Sequence, residues 1–449
     1  MNSQPQKTMA IRKRHQLAIS TVLLLLFTCI NPMLAQPLSD LQPASEMLDQ
    51  ETAVHTALRN NPNLAQMQAR FEALREIPSQ VGTWSDPMIN FNAMNLPTDT
   101  FNTGQEPMTQ LQIGFSQMIP FPGKLSLKAR AAEFDAIAAE QDVVEARSQL
   151  QQQVVTSWWQ VYYLDRAVET VVKNQQLLRQ FIIVAETKYQ TGKGLQQDVL
   201  LSQLELSKLL DQQIQLQSLR RRQAIALNVL MDRLPDAEIV LSTEVSLEMP
   251  ALKKENQLYG QAESTRAKLK QLDSTIDAAE ARLKLAKRNY YPDFTIGMTY
   301  GDRAGLNALP RGGDRTDFVS LMVGIRIPFY AKRKQAKAVA QKRSELEQNQ
   351  HKLRDVKGNI FAEVSSAVIR YQQAKQQFSL FKNGIIPQAS QTVASMLAAY
   401  QVDEVDFLNL VRSQITLFNY ELQYWKTLSD ANQALSRLYA AVGEESVYE

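Results

Sequence analysis

Three acids, Asp403, Glu404 and Asp406, crowd a short stretch between two long helical patterns, with Asn409 close behind. Carboxylates held this near one another repel and attract cations, so copies of the stretch gathered around an axis would make a cation-favouring constriction. In a single copy the same acids do plainer work, complementing the positive end of the helix that follows. A sister stretch holds Tyr189, Gly192, Lys193, Gly194 and Asp198, and Tyr400 stands ahead of the acids as Tyr189 stands ahead of the glycines. The glycines suit a tight reversal because they adopt positive φ at no steric cost. Asp198 also reads as a helix-start charge. Little else looks reactive. His55 and His351 lie far apart without ligand spacing, and there is no Gly-rich phosphate loop, nucleophile elbow or HExxH. The sequence therefore predicts no enzyme, no cofactor and no resident metal. Met88, Met94, Met108, Met118, Met298 and Met322 crowd the strand-like segments, where apolar filling is the commoner use of methionine than a soft-metal path.

The elements that must position these turns come as two similar halves. Residues 36–235 form the first: a helix, a strand pair over 87–119, a long helix over 123–190 and a returning helix over 195–231. Residues 255–443 form the second: a helix, a strand pair over 292–327, a long helix over 332–400 and a returning helix over 404–441. A linker, 236–254, joins them, and 444–449 is a tail. Such internal repetition means a duplicated structural unit. From Gly123 to Tyr189 neither proline nor glycine interrupts the pattern, and an unbroken helix of that extent reaches about 100 Å at 1.5 Å per residue. The matching segment is interrupted near Gly384 and Pro387, where a kink is expected. Leu410, Leu417, Tyr424, Ala431 and Leu438 recur every seven residues, the spacing of coiled-coil packing between antiparallel neighbours.

The strands show strict alternation. Ile89, Phe91 and Ala93 alternate with Asn90 and Asn92; Leu111, Ile113 and Phe115 alternate with Gln112, Gly114 and Ser116. Phe294, Ile296, Met298 and Tyr300 alternate with Thr295, Gly297 and Thr299, and Val319, Leu321, Val323 and Ile325 with Ser320, Met322 and Gly324. Segments of about nine to eleven residues are long enough for a tilted strand to cross hydrocarbon. Polar loops, 96–107 and 302–316, separate the paired strands.

The first 35 residues read as a signal peptide. Lys7, Arg12, Lys13 and Arg14 precede the apolar run Leu17 to Ile30, and Ala35 offers a small residue for cleavage. Phe27 and Thr28 precede the single cysteine, Cys29, which does not suit lipidation and is expected to be discarded with the leader. The formal charge of +3 then becomes −1, since the leader carries four basic residues and no acid. No basic surplus remains for nucleic acid. No later apolar run is long enough for a membrane helix. If the exported chain crosses a membrane, it does so as strands.

Four strands cannot close a membrane barrel, because open edges in lipid leave main-chain groups unpaired. Copies must pool their strands, and helices of about 100 Å must project from the membrane. The chain resembles the TolC-type outer-membrane efflux family over nearly its whole mature length. The carrying residues are Ala57-Leu58-Arg59-Asn60-Asn61-Pro62, Gly114-Phe115-Ser116-Gln117 leading to Pro120-Phe121-Pro122-Gly123-Lys124, and the paired helix ends Tyr189-Gln190-Thr191-Gly192 with Asp198-Val199-Leu200 and Tyr400-Gln401-Val402 with Asp406-Phe407-Leu408. The Pro120 to Lys124 stretch leans towards the heavy-metal efflux branch. The resemblance implies a mainly α fold, with long antiparallel coiled-coil hairpins forming a periplasmic α-barrel and four strands per chain entering a trimeric twelve-stranded outer-membrane β-barrel. It implies a homotrimer in outer-membrane lipid, partnered by a periplasmic adaptor and an inner-membrane efflux pump of the RND type. It makes Tyr189, Gly192, Lys193, Gly194, Asp198 and Tyr400 adaptor-contact candidates at the periplasmic tip, and Asp403, Glu404, Asp406 and Asn409 gate candidates. The family keeps two acids three apart at this turn; Asp406 matches the first, and Asn409 departs from the second. An outer-membrane duct for type I protein secretion would share this fold. A reading of a different class is a periplasmic coiled-coil scaffold or the adaptor itself; an adaptor would show one helical hairpin and a compact lipoyl-like β-domain, whereas this chain duplicates both hairpin and strand pair.

Overall fold

A computed structural model of the chain describes residues 47–443 and 447–448. The expected leader and most of the expected tail lie outside the described residues. Each half begins with a broken helix where a single one was expected. In the first, α1 (Gln50–Asn60), α2 (Pro62–Arg75) and α3 (Ile77–Gly82) follow one another. Asn61 causes the first break: preceding a proline, it is forced into extended backbone, and its side chain then accepts from the N–H groups of Asn63 and Leu64 to start α2. In the second half, Arg266 makes the corresponding break between α6 (Glu255–Thr265) and α7 (Ala267–Arg288).

The strands β1 (Met88–Met94), β2 (Gln110–Ile119), β3 (Asp293–Asp302) and β4 (Phe318–Arg326) form one antiparallel sheet in sequence order. The first is shorter than its alternation predicts, because Asn95 turns into the left-handed region at φ 51° directly after Met94. The register aligns the apolar positions across all four strands. One row reads Ile89, Phe115, Met298, Leu321; the next reads Phe91, Ile113, Tyr300, Val319. The opposite face carries rows such as Asn90, Gly114, Thr299, Ser320. Among the described residues nothing covers the apolar face: Phe91 is 77% and Leu321 80% exposed. The polar face is crowded, since a Cβ at Gly114 would strike the Asn90 amide and one at Gly301 the Gln110 amide. Glycine there lets the sheet curve tightly around its polar side.

The helical body inverts this arrangement. Helix α4 (Lys124–Gln190) runs unbroken for 67 residues and reverses into α5 (Gln196–Leu230). Its counterpart is α8 (Gln335–Leu380), a π-helical turn over Phe381–Ile385 and α9 (Ile386–Gln401), which reverses into α10 (Phe407–Val442). The π turn has a plain cause. Pro387 has no N–H for the Asn383 carbonyl, and the ladder slips by one residue so that Ile386 donates to Phe381. Most apolar side chains of α4 and α10 face inward along this body, whereas α5 leaves Leu200, Leu204, Ile214 and Val229 exposed. Trp158, Trp159 and Tyr162 on α4 meet Trp425 of α10 midway, and the indole N–H of Trp158 donates to the Leu48 carbonyl, pinning the start of the described chain. The linker region is tied as well: Leu241 bridges to Leu48 and Leu252 to Tyr448. Among the described residues no helix is long and apolar enough to cross a membrane.

Candidate functional site

The two reversals lie side by side at the end of the helical body and share one core. Leu178, Phe181 and Ala185 of α4 pack there with Val393 and Tyr400 of α9 and Phe407, Leu410 and Val411 of α10. The turns repeat one hydrogen-bond pattern. Gly192 donates to Tyr189 as Asp403 does to Tyr400, Lys193 to Lys188 as Glu404 to Ala399, and Asp198 to Leu195 as Asn409 to Asp406. Gly192 (φ 72°) and Asp403 (φ 68°) therefore occupy the same left-handed position. Aspartate tolerates this conformation better than most residues, though at some cost relative to glycine.

That equivalence corrects the motif alignment. Asp198-Val199-Leu200 is not the counterpart of Asp406-Phe407-Leu408; Leu195 occupies the place of Asp406, and Asp198 that of Asn409. The two glycines also differ in role. Gly192 needs its positive φ and has open space around it. Gly194 has ordinary backbone but packs so tightly that a Cβ would lie 2.8 Å from Lys188 Cβ and 3.0 Å from the Tyr189 nitrogen.

Lys188, which sequence reasoning passed over, holds the two reversals together. Its Nζ donates to the Tyr400 carbonyl at 2.6 Å, pairs with the Asp403 carboxylate and sits 4.6 Å from the centre of the Tyr400 ring. The lysine side chain is only 12% exposed. Tyr400 itself is buried against Phe407, with ring centres 5.1 Å apart. Its hydroxyl faces Asp198 without forming a well-made hydrogen bond. Burial first, then the Asp198 and Asp403 carboxylates, push the phenol up to about 12. Asp198 is raised too: burial dominates and Asp406 adds repulsion, against the opposing pull of the Leu195 main chain, Lys188 and Tyr400.

The structure thus gathers Asp198, Tyr400 and Asp403 around Lys188, with Asp406 near enough to Asp198 to repel it. Tyr189, Lys193, Glu404 and Asn409 point outward and are exposed, as is Gly192. Asp406 precedes α10 as its cap residue; its carbonyl accepts from the Asn409 N–H, but its side chain accepts no hydrogen bond from the helix start. Further along the body a second polar layer links α4 to its neighbours. Gln414 donates to Asn174 at 2.5 Å, Lys173 pairs with Glu421 at 3.3 Å, and Gln175 donates to Gln213 at 2.9 Å. Among the described residues no group of His, Cys, Asp and Glu is arranged to hold a metal ion.

The sequence matches the family described as outer membrane efflux protein over residues 53–232 and 258–444. No curated protein matches it. Its fold is similar to that of the outer membrane protein VceC from Vibrio cholerae, with a TM-score of 0.73, 19% identity and coverage of 88% of this chain and 96% of that one. It is similar to CusC, whose structures concern folding and transmembrane channel formation, with a TM-score of 0.74, 16% identity and coverage of 88% and 92%. It is also similar to the open state of the Neisseria gonorrhoeae outer membrane channel MtrE, with a TM-score of 0.71, 13% identity and coverage of 88% and 89%. At these identities the likeness establishes the fold, while the family match spans most of the sequence in two segments. The chain belongs to the outer membrane efflux protein family.

Proposed function

We propose that the protein is the outer-membrane exit duct of a tripartite efflux system, a homotrimer whose copies share a twelve-stranded barrel and a periplasmic helical tube. One observation carries this reading: among the described residues, an apolar sheet face lies uncovered between two edge strands, β1 and β4, that have no partner. Lipid satisfies such a face, but unpaired main-chain edges are prohibitive in lipid. Pairing β4 of one copy with β1 of the next removes every edge. Three copies meet the family's usual number and give a barrel within the ordinary size range.

In this reading the paired reversals form the periplasmic mouth. Tyr189, Gly192, Lys193 and Gly194 offer the outward surface to an adaptor's helical hairpin, and Lys188 holds the second reversal against the first to keep the mouth narrow. Asp403, Glu404, Asp406 and Asn409, repeated around the axis, line the constriction. The duct is passive, and an inner-membrane pump of the RND type drives transport through the adaptor. Small molecules or metal cations are the cargo; the Pro120 to Lys124 stretch, similar to the heavy-metal branch, makes divalent metals the first to test.

Protein extracted from outer membranes should migrate as a heat-modifiable trimer and conduct in planar bilayers. A deletion strain should gain sensitivity to particular drugs or metals. Recovery as a water-soluble monomer that never inserts would reject the duct.

A further inference from the structure

The sheet register sets up an equivalence between the two hairpins. Ser116, three residues before Ile119, pairs with Met88; Gly324, three residues before Ile327, pairs with Thr295. Met88 therefore holds in the first hairpin the place that Thr295 holds in the second. Counting back equally from each puts Asp86 in the place of Asp293 and Trp84 in that of Tyr291. Counting forward from the two isoleucines puts Phe329 in the place of Phe121 and Lys332 in that of Lys124.

Inside the chain, where β2 adjoins β3, these positions form a clamp. Lys124 Nζ lies 2.8 Å from Asp293 Oδ1 and 2.9 Å from the Tyr291 carbonyl oxygen. The Phe121 N–H donates to the same Asp293 oxygen at 2.8 Å. The Phe121 ring stacks on Tyr291 with centres 4.5 Å apart and planes 14° from parallel. Lys124 is almost fully enclosed, 7% exposed.

At the sheet's outer edges the same parts stand apart. Trp84 is 55% exposed beside β1, and Phe329 is 83% exposed beyond β4. Asp86 and Lys332 are exposed, and among the described residues neither side chain has a polar partner. The Phe329 N–H turns back onto the Ile327 carbonyl instead of meeting a carboxylate. The helix that begins at Lys124 in the first half begins only at Gln335 in the second. The second clamp has its own lysine, carboxylate and two rings, and they stand apart within one chain.

We infer that the clamp is remade between copies: Lys332 pairs with Asp86 of the next copy, and Phe329 stacks on Trp84 of the next copy, at the membrane boundary where β4 meets β1. The inference rests on the shared barrel proposed above and names the side chains that close it. One part has no counterpart. Arg288, which lies 5.9 Å from the ring centres of Phe121 and Tyr291, corresponds to Val81. The junction between copies thus depends more heavily on the Lys332–Asp86 pair.

Charge exchange tests this directly. K332D and D86K should each cut the trimer fraction of membrane-extracted protein by about tenfold, since each sets like charges face to face at an interface. The double variant should restore assembly to near the wild-type fraction. K124D, which breaks the clamp inside the chain, should lower total yield rather than the trimer fraction. In a C29S background, D86C and K332C together should give covalent dimers and trimers with a short bismaleimide, and neither cysteine alone should. Wild-type trimers together with single variants that assemble normally, or with a cysteine pair that never cross-links, overturn the clamp and leave the duct reading intact. A wild type that is monomeric in the membrane overturns both.

Discussion

The two ends of this molecule treat unpaired groups in opposite ways. At the strand end, β1 and β4 present open main-chain edges and a bare apolar face, so one chain is incomplete. At the turn end, Lys188 bonds to Tyr400 and Asp403 of its own chain, so the two reversals are closed without help. The difference teaches that assembly and opening are separable. On the reading proposed above, copies are held by what each chain lacks at the membrane, while the mouth is held by what each chain already has. Loosening the mouth then need not cost a single contact between copies in the sheet.

The strongest way to break this comparison is to damage the strand end. Leu321→Arg puts a charge on the apolar face midway along β4 and should cost about 2–4 kcal/mol of barrel stability in lipid. Membrane fractionation and urea-dependent folding into vesicles would show it as lost insertion. Ser320→Arg, one residue away on the polar face, should insert almost normally. Equal damage from both would mean that the sheet is not sided as the register indicates.

Next in size is the Lys188 tie. Lys188→Met removes an ion pair, a hydrogen bond to the Tyr400 carbonyl and a cation–ring contact. Asp403 is 57% exposed, so the cost is nearer about 1–2 kcal/mol than the larger figure for a fully buried pair. That is about a tenfold rise in the open fraction. Single-channel recording should show it with the trimer fraction unchanged. A fall in trimers would break the claim that the two ends act independently.

How much of this was legible beforehand differs between the ends. The strand end was open to inspection because period-two alternation places each side chain on a face without knowledge of any partner, and the register then aligned Ile89, Phe115, Met298 and Leu321 in one row. An interruption near Gly384 and Pro387 was equally visible, since a missing N–H has a local consequence, here a π turn. The turn end was legible only as punctuation. Lys188 is followed by Tyr189 and corresponds to Ala399, so no period marks it, and its bond to Tyr400 spans 212 positions of sequence. The acidic motifs misled for a related reason: Asp198 and Asp406 look alike in order, yet equal turn lengths put Asp198 opposite Asn409. The clamp parts Asp86 and Lys332 became meaningful only once the register had identified Asp293 and Lys124 as their counterparts.

A smaller effect concerns acidity. Burial holds the folded-state pKa of Asp198 above its ordinary value of 3.8, with Asp406 adding to the rise. The packed tip therefore binds this proton more tightly than the unfolded chain does. Its contribution is fully present below the ordinary value and is lost as pH rises through the raised one. Acidifying from neutral should raise the thermal stability of the helical tip modestly through this group, and Asp198→Asn should flatten that response. An unaltered profile in the variant would remove Asp198 as the sensor.

The smallest change should come from Asp406, and it separates two roles that the residue could fill. Within one chain, Asp406→Ala gives up a favourable charge at the start of α10, worth about 0.3–1 kcal/mol, and relieves the repulsion felt by Asp198. The two effects oppose each other, so the thermal stability of the helical body should scarcely move. Around a threefold axis the arithmetic is different, because three carboxylates vanish from one ring and nothing compensates for their joint attraction to cations. Blockade by divalent cations in planar bilayers should then ease even though stability is unchanged. If blockade and conductance both match the wild type, Asp406 serves only its own helix, and the mouth is closed by Lys188 alone.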